Sequence, residues 1–124
     1  MEIHESGEDY LETILMLENR MGYVRAIDIA TEMGYAKPTI SIAMRRLREN
    51  GYIDVDERRD IHLTNMGREV AERIYERHVL LTKLLEALGV DGDTAAREAC
   101  KIEHDISADT FSKLRNYYNT HLKK

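Results

Sequence analysis

The sequence predicts a mainly α-helical chain with a winged helix-turn-helix in its N-terminal half. Three observations carry this. The composition is helix-rich, with one proline, one phenylalanine and no tryptophan in 124 residues. Two short amphipathic stretches, Ala26 to Met33 and the run from Pro38, are joined by a turn at Gly34-Tyr35. Directly after them, two short alternating segments flank a charged turn, the pattern of a β-hairpin.

Taken in order, Ser6 followed by Asp9 has the form of a cap for a first helix running to about Asn19. Tyr10, Leu11, Ile14, Leu15 and Leu17 supply its apolar side. Ala36-Lys37-Pro38 leads into the second helix of the pair, since proline is tolerated in a first turn. Ile40, Ala43, Met44 and Leu47 point inward there, and Gly51 ends the helix. Tyr52 to Asp56 puts Ile53 and Val55 on one side, Glu57-Arg58-Arg59-Asp60 turns, and Ile61 to Leu63 returns. Thr64 is placed to cap a long helix reaching about Leu88, striped by Val70, Ile74, Leu81, Leu85 and Leu88. After Gly89-Val90-Asp91-Gly92, Asp93 is the expected cap of the next helix and Ser107 that of the last, through about Tyr118. No strong linker separates the halves, so a soft boundary is expected near Thr64: 1–64 for the winged helix-turn-helix and 65–124 for a helical domain.

The length allows one domain, or two small ones sharing a core. No apolar run approaches the ~18 residues of a membrane span. The start, MEIHESGEDY, is too acidic and polar for a secretory signal. A single cysteine makes no internal disulfide and fits a reduced, cytoplasmic location. The net charge of −5 argues against nucleic acid as a partner. Its distribution softens that argument: from Arg20 to His62 eight Lys/Arg meet seven Asp/Glu, so the helix-turn-helix stretch is about neutral.

Two groups of residues carry chemistry. A helix from Pro38 entering a major groove would present Thr39 and Ser41 to base edges. Lys37, Arg45 and Arg46 suit phosphates, as do Arg58 and Arg59 in the wing. Scattered arginines on a helical pair are common, and it is the hairpin that makes this pattern restrictive. The second group is EACKIEH, where Cys100, Glu103 and His104 fall at i, i+3 and i+4 and share a face if helical. Thiolate, carboxylate and imidazole together suit a transition metal, although a lone cysteine is usually a small core residue. His78 interrupts the apolar stripe of the long helix, where a histidine is most often a buried, hydrogen-bonded residue. Asp9 and Glu12, three apart on the first helix, would ordinarily be solvated. Together these residues offer two oxygen ligands, an isolated imidazole and a Cys-x-x-Glu-His face from three helices. His4, His62 and His121 read as surface residues without a role.

At this point the chain resembles the DtxR/MntR family of metal-dependent transcriptional repressors. The likeness runs through EDYLETILML, the helix-turn-helix with KPTIS, the wing, ERHVLLTKLL, and EACKIEH followed by Ser107. It implies an N-terminal winged helix-turn-helix, a helical dimerisation domain and divalent-metal sites between the two. It also implies a homodimer that binds double-stranded operator DNA when loaded with metal. The length corresponds to the short form without a C-terminal SH3-like domain. Asp9 and Glu12 match the manganese branch, His78, Glu103 and His104 match both branches, and Cys100 matches the iron branch. Thr82 and Ala96 replace the iron branch's ancillary glutamate and histidine.

The resemblance implies one site from Asp9, Cys100, Glu103 and His104. A second would come from Glu12 and His78, with Glu103. Three carboxylates and a thiolate carry about −4, which two divalent ions balance. The expected metal is Mn²⁺ or Fe²⁺, with Co²⁺ or Zn²⁺ able to substitute in vitro, because the Cys100 thiolate and the Asp9 carboxylate pull in opposite directions. No membrane and no small organic substrate is expected. The competing readings are a winged-helix regulator indifferent to metal and, last, a metalloenzyme. No phosphate loop or nucleophile-base pair supports the enzyme.

Overall fold

The computed structural model describes residues 5–123; the N-terminal residues up to His4 lie outside them. The chain forms two compact units, one through Arg73 and one from Ile74 onward.

In the first unit, α1 (Glu5–Met21) is followed by α2 (Ala26–Met33) and α3 (Lys37–Glu49). Ser6 lies inside α1 rather than at its cap, a correction to the expected start. Leu11, Ile14, Leu15 and Leu17 are buried, as their spacing predicts. Asp28, in the first turn of α2, accepts the backbone N–H of Arg25 (2.9 Å) and so satisfies an otherwise orphaned donor. Gly34 closes α2 in the left-handed region (φ 72°), a conformation that favours glycine. Pro38 sits in the first turn of α3.

β1 (Ile53–Val55) and β2 (Ile61–Leu63) pair antiparallel, with Ile53 opposite Leu63, Asp54 opposite His62 and Val55 opposite Ile61. The alternation buries Ile53 and Ile61 and exposes Asp54 and His62. The Ile61 N–H donates to the Val24 carbonyl (2.7 Å), tying the hairpin to the segment before α2. Val24, Ile29, Ile40, Met44 and Leu47 complete the core with the α1 residues.

The long helix α4 (Asn65–Ala87) starts where Thr64 Oγ1 accepts the Gly67 N–H (3.1 Å), as the sequence predicts. A Cβ at Gly67 would lie 2.0 Å from the Tyr52 carbonyl oxygen, so only glycine allows that backbone approach. Arg68–Glu18 and Arg73–Glu8 ion pairs link α4 to α1 in this unit (2.8 and 2.9 Å).

The second unit holds the rest of α4, then α5 (Gly92–Ile102) and α6 (Ala108–Tyr117), which continues into a π-helical turn (Tyr118–Leu122). Ile74 and Leu81 of the α4 stripe are buried, whereas Leu88 lies beyond the helix and is exposed. Asp91, not Asp93, caps α5: its carboxylate accepts the Thr94 N–H and hydroxyl (3.1 and 2.7 Å). Ser107 caps α6 as expected, accepting the Thr110 N–H (3.1 Å). Among the described residues no helix is long and apolar enough to cross a membrane.

Candidate functional site

In the second unit, His78 of α4 meets the C-terminal end of α5. His78 Nδ1 lies 3.1 Å from Glu103 Oε2 and 3.5 Å from Cys100 Sγ. The three donor atoms fall within 4.8 Å of one another. His104 Nε2 stands 3.6 Å from the other oxygen, Glu103 Oε1. The Glu103 side chain is fully buried and thus sits between two imidazoles, while Cys100 is exposed.

The local geometry departs from the expected shared helical face. α5 stops at Ile102, Glu103 is its cap, and His104 lies in the following turn. The Glu103 N–H still donates to the Ala99 carbonyl (3.0 Å), so its side chain keeps roughly helical register with Cys100. The chain then turns, with the Asp105 N–H donating to the Ile102 carbonyl (2.9 Å). Cys100 therefore lies beside the imidazole that the sequence reading grouped with Glu12.

Sequence reasoning missed Arg77. This buried side chain donates from Nη1 to the carbonyls of Glu103 (3.0 Å) and Ile106 (2.8 Å). Its guanidinium lies over the Phe111 ring of α6, 5.4 Å from the centroid. An arginine directly before a candidate ligand was the only available signal.

Electrostatically the cluster asks for positive charge. The His78 imidazole is pushed up to about 10, first by its hydrogen bond to Cys100 and then by that to Glu103, against the opposing effect of burial. Glu103 Oε1 is buried and has no hydrogen-bond partner among the described residues. Donors around a tetrahedral transition metal at ~2.0–2.3 Å sit about 3.3–3.8 Å apart. The observed 3.1 and 3.5 Å separations are close to that spacing. A buried carboxylate with one oxygen at the His78 nitrogen and the other without a hydrogen bond, 3.6 Å from the His104 nitrogen, fits a divalent metal.

Asp9 and Glu12 are on α1, in the first unit, three residues apart and so on one side of that helix. Glu12 is buried and Asp9 partly so; the Asp9 carbonyl accepts the Thr13 hydroxyl (2.8 Å). Thr82, one of the replaced ancillary positions, donates its hydroxyl to the His78 carbonyl (2.7 Å).

The first unit carries a second feature. A cleft of about 720 Å³ opens between α3, the start of α2 and the hairpin. Arg25, Arg45, Arg48, Arg58 and Arg59 line it against only two carboxylates, Asp56 and Glu57, with Ser41 at its wall. Ser41, Arg45 and Arg48 are spaced i, i+4 and i+7, hence on one face of α3. Lys37, Pro38, Thr39 and Arg46 are exposed on α3 outside this lining. Arg25 and Arg48 were not among the candidates read from the sequence, though the spacing of Arg48 from Arg45 could have revealed it.

The hairpin turn is organised by Asp56. Its Oδ1 accepts the N–H groups of Arg58 and Asp60 (2.8 and 3.0 Å), and its Oδ2 meets His62 Nε2 (2.8 Å). The hydrogen bond to His62, followed by those from the turn backbone, holds the Asp56 carboxyl below the usual range despite desolvation. His62, set aside as a surface residue, is exposed and has this partner; His121 packs against Tyr117, ring centroids 4.5 Å apart.

Comparison with known proteins covers nearly the whole chain. The family model described as the iron dependent repressor N-terminal DNA binding domain matches residues 2–61. That for the iron dependent repressor metal binding and dimerisation domain matches residues 64–123. The chain is 32% identical over 114 residues to the transcriptional regulator MntR of Escherichia coli O6:H1, covering 92% of this chain and 74% of the relative. It is 30% identical over 109 residues to the HTH-type transcriptional regulator MntR of Bacillus subtilis, covering 88% and 77%. Among solved structures, a manganese-dependent transcriptional repressor in complex with manganese matches with TM-score 0.83 and 28% identity, over 91% of this chain and 52% of that one. The manganese regulator SloR matches with TM-score 0.81 and 27% identity, over 91% and 53%. The chain thus spans about half the length of these two structures.

Proposed function

The chain belongs to the iron dependent repressor (DtxR/MntR) family of metal-dependent transcriptional regulators, and from that premise we propose that it is a cytoplasmic homodimeric repressor whose DNA binding is switched by Mn²⁺ or Fe²⁺. The observation that carries the metal half is the meeting of His78, Cys100 and Glu103, with His104 at the second Glu103 oxygen. These four supply nitrogen, sulfur and oxygen donors, and Asp9 and Glu12 are proposed to add oxygen ligands from α1.

A bound divalent ion would supply the positive charge that these acidic donors share. His78 would give up its Nδ1 proton, Cys100 its thiol proton, and the Glu103 carboxylate would supply oxygen. Balancing the carboxylates of α1 and the donors of α5 with metal is the proposed link from metal to DNA affinity. The thiolate of Cys100 favours Fe²⁺, Co²⁺ or Zn²⁺, and the Asp9 carboxylate favours Mn²⁺.

For the DNA half, α3 is proposed to enter the major groove with Thr39 and Ser41 toward base edges. Lys37, Arg45, Arg46 and Arg58 would hold phosphates, joined by Arg48 and Arg59 of the cleft. A homodimer presents two such helices to a pseudo-palindromic operator. The boundary between the two functional parts is proposed near Thr64.

A mobility-shift titration under anaerobic conditions, run separately with Mn²⁺, Fe²⁺ and Zn²⁺ and after chelation with EDTA, tests the reading. Operator affinity is expected to rise with metal and collapse with EDTA. Equal affinity in both states would replace it with the metal-indifferent winged-helix regulator.

A further inference from the structure

We propose that Arg77 is a positioning residue for the His78–Cys100–Glu103–His104 cluster: it clamps the turn after α5 so that the Glu103 carboxylate faces His78 of α4 and the His104 imidazole stays at the second Glu103 oxygen. The inference rests on the metal-centre reading and deepens it.

A helix end leaves carbonyls unpaired, and a turn of that kind does not hold one conformation by itself. Just beyond α5, Arg77 takes the carbonyl of the cap residue Glu103 and that of Ile106 at the far side of the turn, both through Nη1 (3.0 and 2.8 Å). The bonds bracket the turn that contains His104. The same guanidinium stacks on Phe111, while Arg115 approaches that ring at 5.5 Å and pairs with Glu76 of α4 (2.6 Å). Phe111 is buried, so the Arg77 head is held by packing as well as by its hydrogen bonds.

Arg77 adjoins His78 in the chain. One turn of α4 therefore holds both the imidazole donor and the group that fixes the opposing carboxylate. Burying a guanidinium with its Nε lacking a hydrogen-bond partner among the described residues is costly. Ordering a loop that carries two metal donors is a function that accounts for keeping it there. A planar, forked guanidinium does this better than a lysine ammonium, which cannot stack on the ring while spanning both carbonyls.

The test uses the full chain with Co²⁺ as the probe under anaerobic conditions. It reads the sulfur-to-cobalt charge-transfer band, the visible ligand-field bands and the affinity, with melting of the metal-free protein measured in parallel. Arg77→Met is expected to weaken Co²⁺ binding by on the order of tenfold to a hundredfold, the range for residues that orient metal ligands, and to alter the ligand-field bands. Arg77→Lys should recover part of the affinity, and Phe111→Leu should reproduce part of the loss. These two milder variants keep the test decisive should Arg77→Met not fold. Wild-type affinity and bands in the variants that fold, whatever their melting temperatures, would overturn the proposal and leave Arg77 a purely structural residue. Wild-type cobalt bands indifferent to His78→Ala and Cys100→Ala would overturn the metal-centre reading itself, and with it the role of Arg77. The unsubstituted protein and these two controls tell the failures apart.

Discussion

His78 Nδ1 lies 3.1 Å from Glu103 Oε2, although the two residues are 25 positions apart. The same nitrogen is 3.5 Å from Cys100 Sγ. One ring nitrogen thus faces both a thiol and a buried carboxylate, and a proton there occupies the place proposed for metal.

Proton release should therefore accompany metal binding. The His78 value is raised from 6.5 to about 10, so the ring is charged at pH 7 and must lose a proton to become a ligand. A raised folded-state value also stabilises the metal-free protein fully below about 6.5, and that contribution fades as pH rises through about 10. Metal affinity is expected to increase with pH over this window. Calorimetry in buffers of different ionisation enthalpy should report about one proton from His78, besides any from the thiol. A buffer-independent heat would contradict this assignment.

Cys100 should govern metal preference. Cys100→Glu exchanges a soft sulfur for a hard carboxylate, so Mn²⁺ should gain on Co²⁺ and Zn²⁺ by tenfold or more, an order-of-magnitude expectation from ligand softness. Competition titrations with a chromophoric chelator measure the ratio. An unchanged ratio would remove Cys100 from the ligand set.

The cleft arginines should contribute affinity rather than sequence preference. Arg45→Ala and Arg58→Ala are each expected to weaken binding to all DNA sequences alike and to reduce the salt-dependence slope by about 1. Ser41→Ala should instead change the preference among operator variants. Binding curves at several salt concentrations on operator and scrambled duplexes separate the two behaviours. A loss confined to the operator for Arg45→Ala would reverse its role.

Gly67 should be intolerant of any side chain. A Cβ there meets the Tyr52 carbonyl oxygen at 2.0 Å, and backbone does not give way as a flexible side chain does. Gly67→Ala is expected to cost about 1–3 kcal/mol, the range for overpacked positions. Urea unfolding of the metal-free protein gives the number. Wild-type stability would mean that the start of α4 shifts freely.

Much of the fold was legible locally. The burial of Leu11, Ile14, Leu15 and Leu17 follows from apolar spacing, and the hairpin follows from alternation around a charged turn. Thr64 and Ser107 cap where short oxygen side chains precede helical stretches. Where several such residues compete, sequence alone chose wrongly. Asp91 caps α5 in place of Asp93, because its carboxylate reaches both the N–H and the hydroxyl of Thr94.

The sequence by itself determined which chemistry this protein can carry: an arginine-bearing helix followed by a hairpin, and a thiol, carboxylates and imidazoles suited to a divalent metal. The order and periodicity of residues suffice for that, since helices and hairpins are set largely by neighbours. Only the tertiary structure decided that Cys100 faces His78, that Glu103 leaves the helix as its cap, and that Arg77 holds the turn beyond it. The contacts of Cys100 with His78 and of Arg77 with the turn join residues 22 to 29 positions apart. They depend on how α4 packs against α5 and the following turn, and local periodicity does not encode that packing.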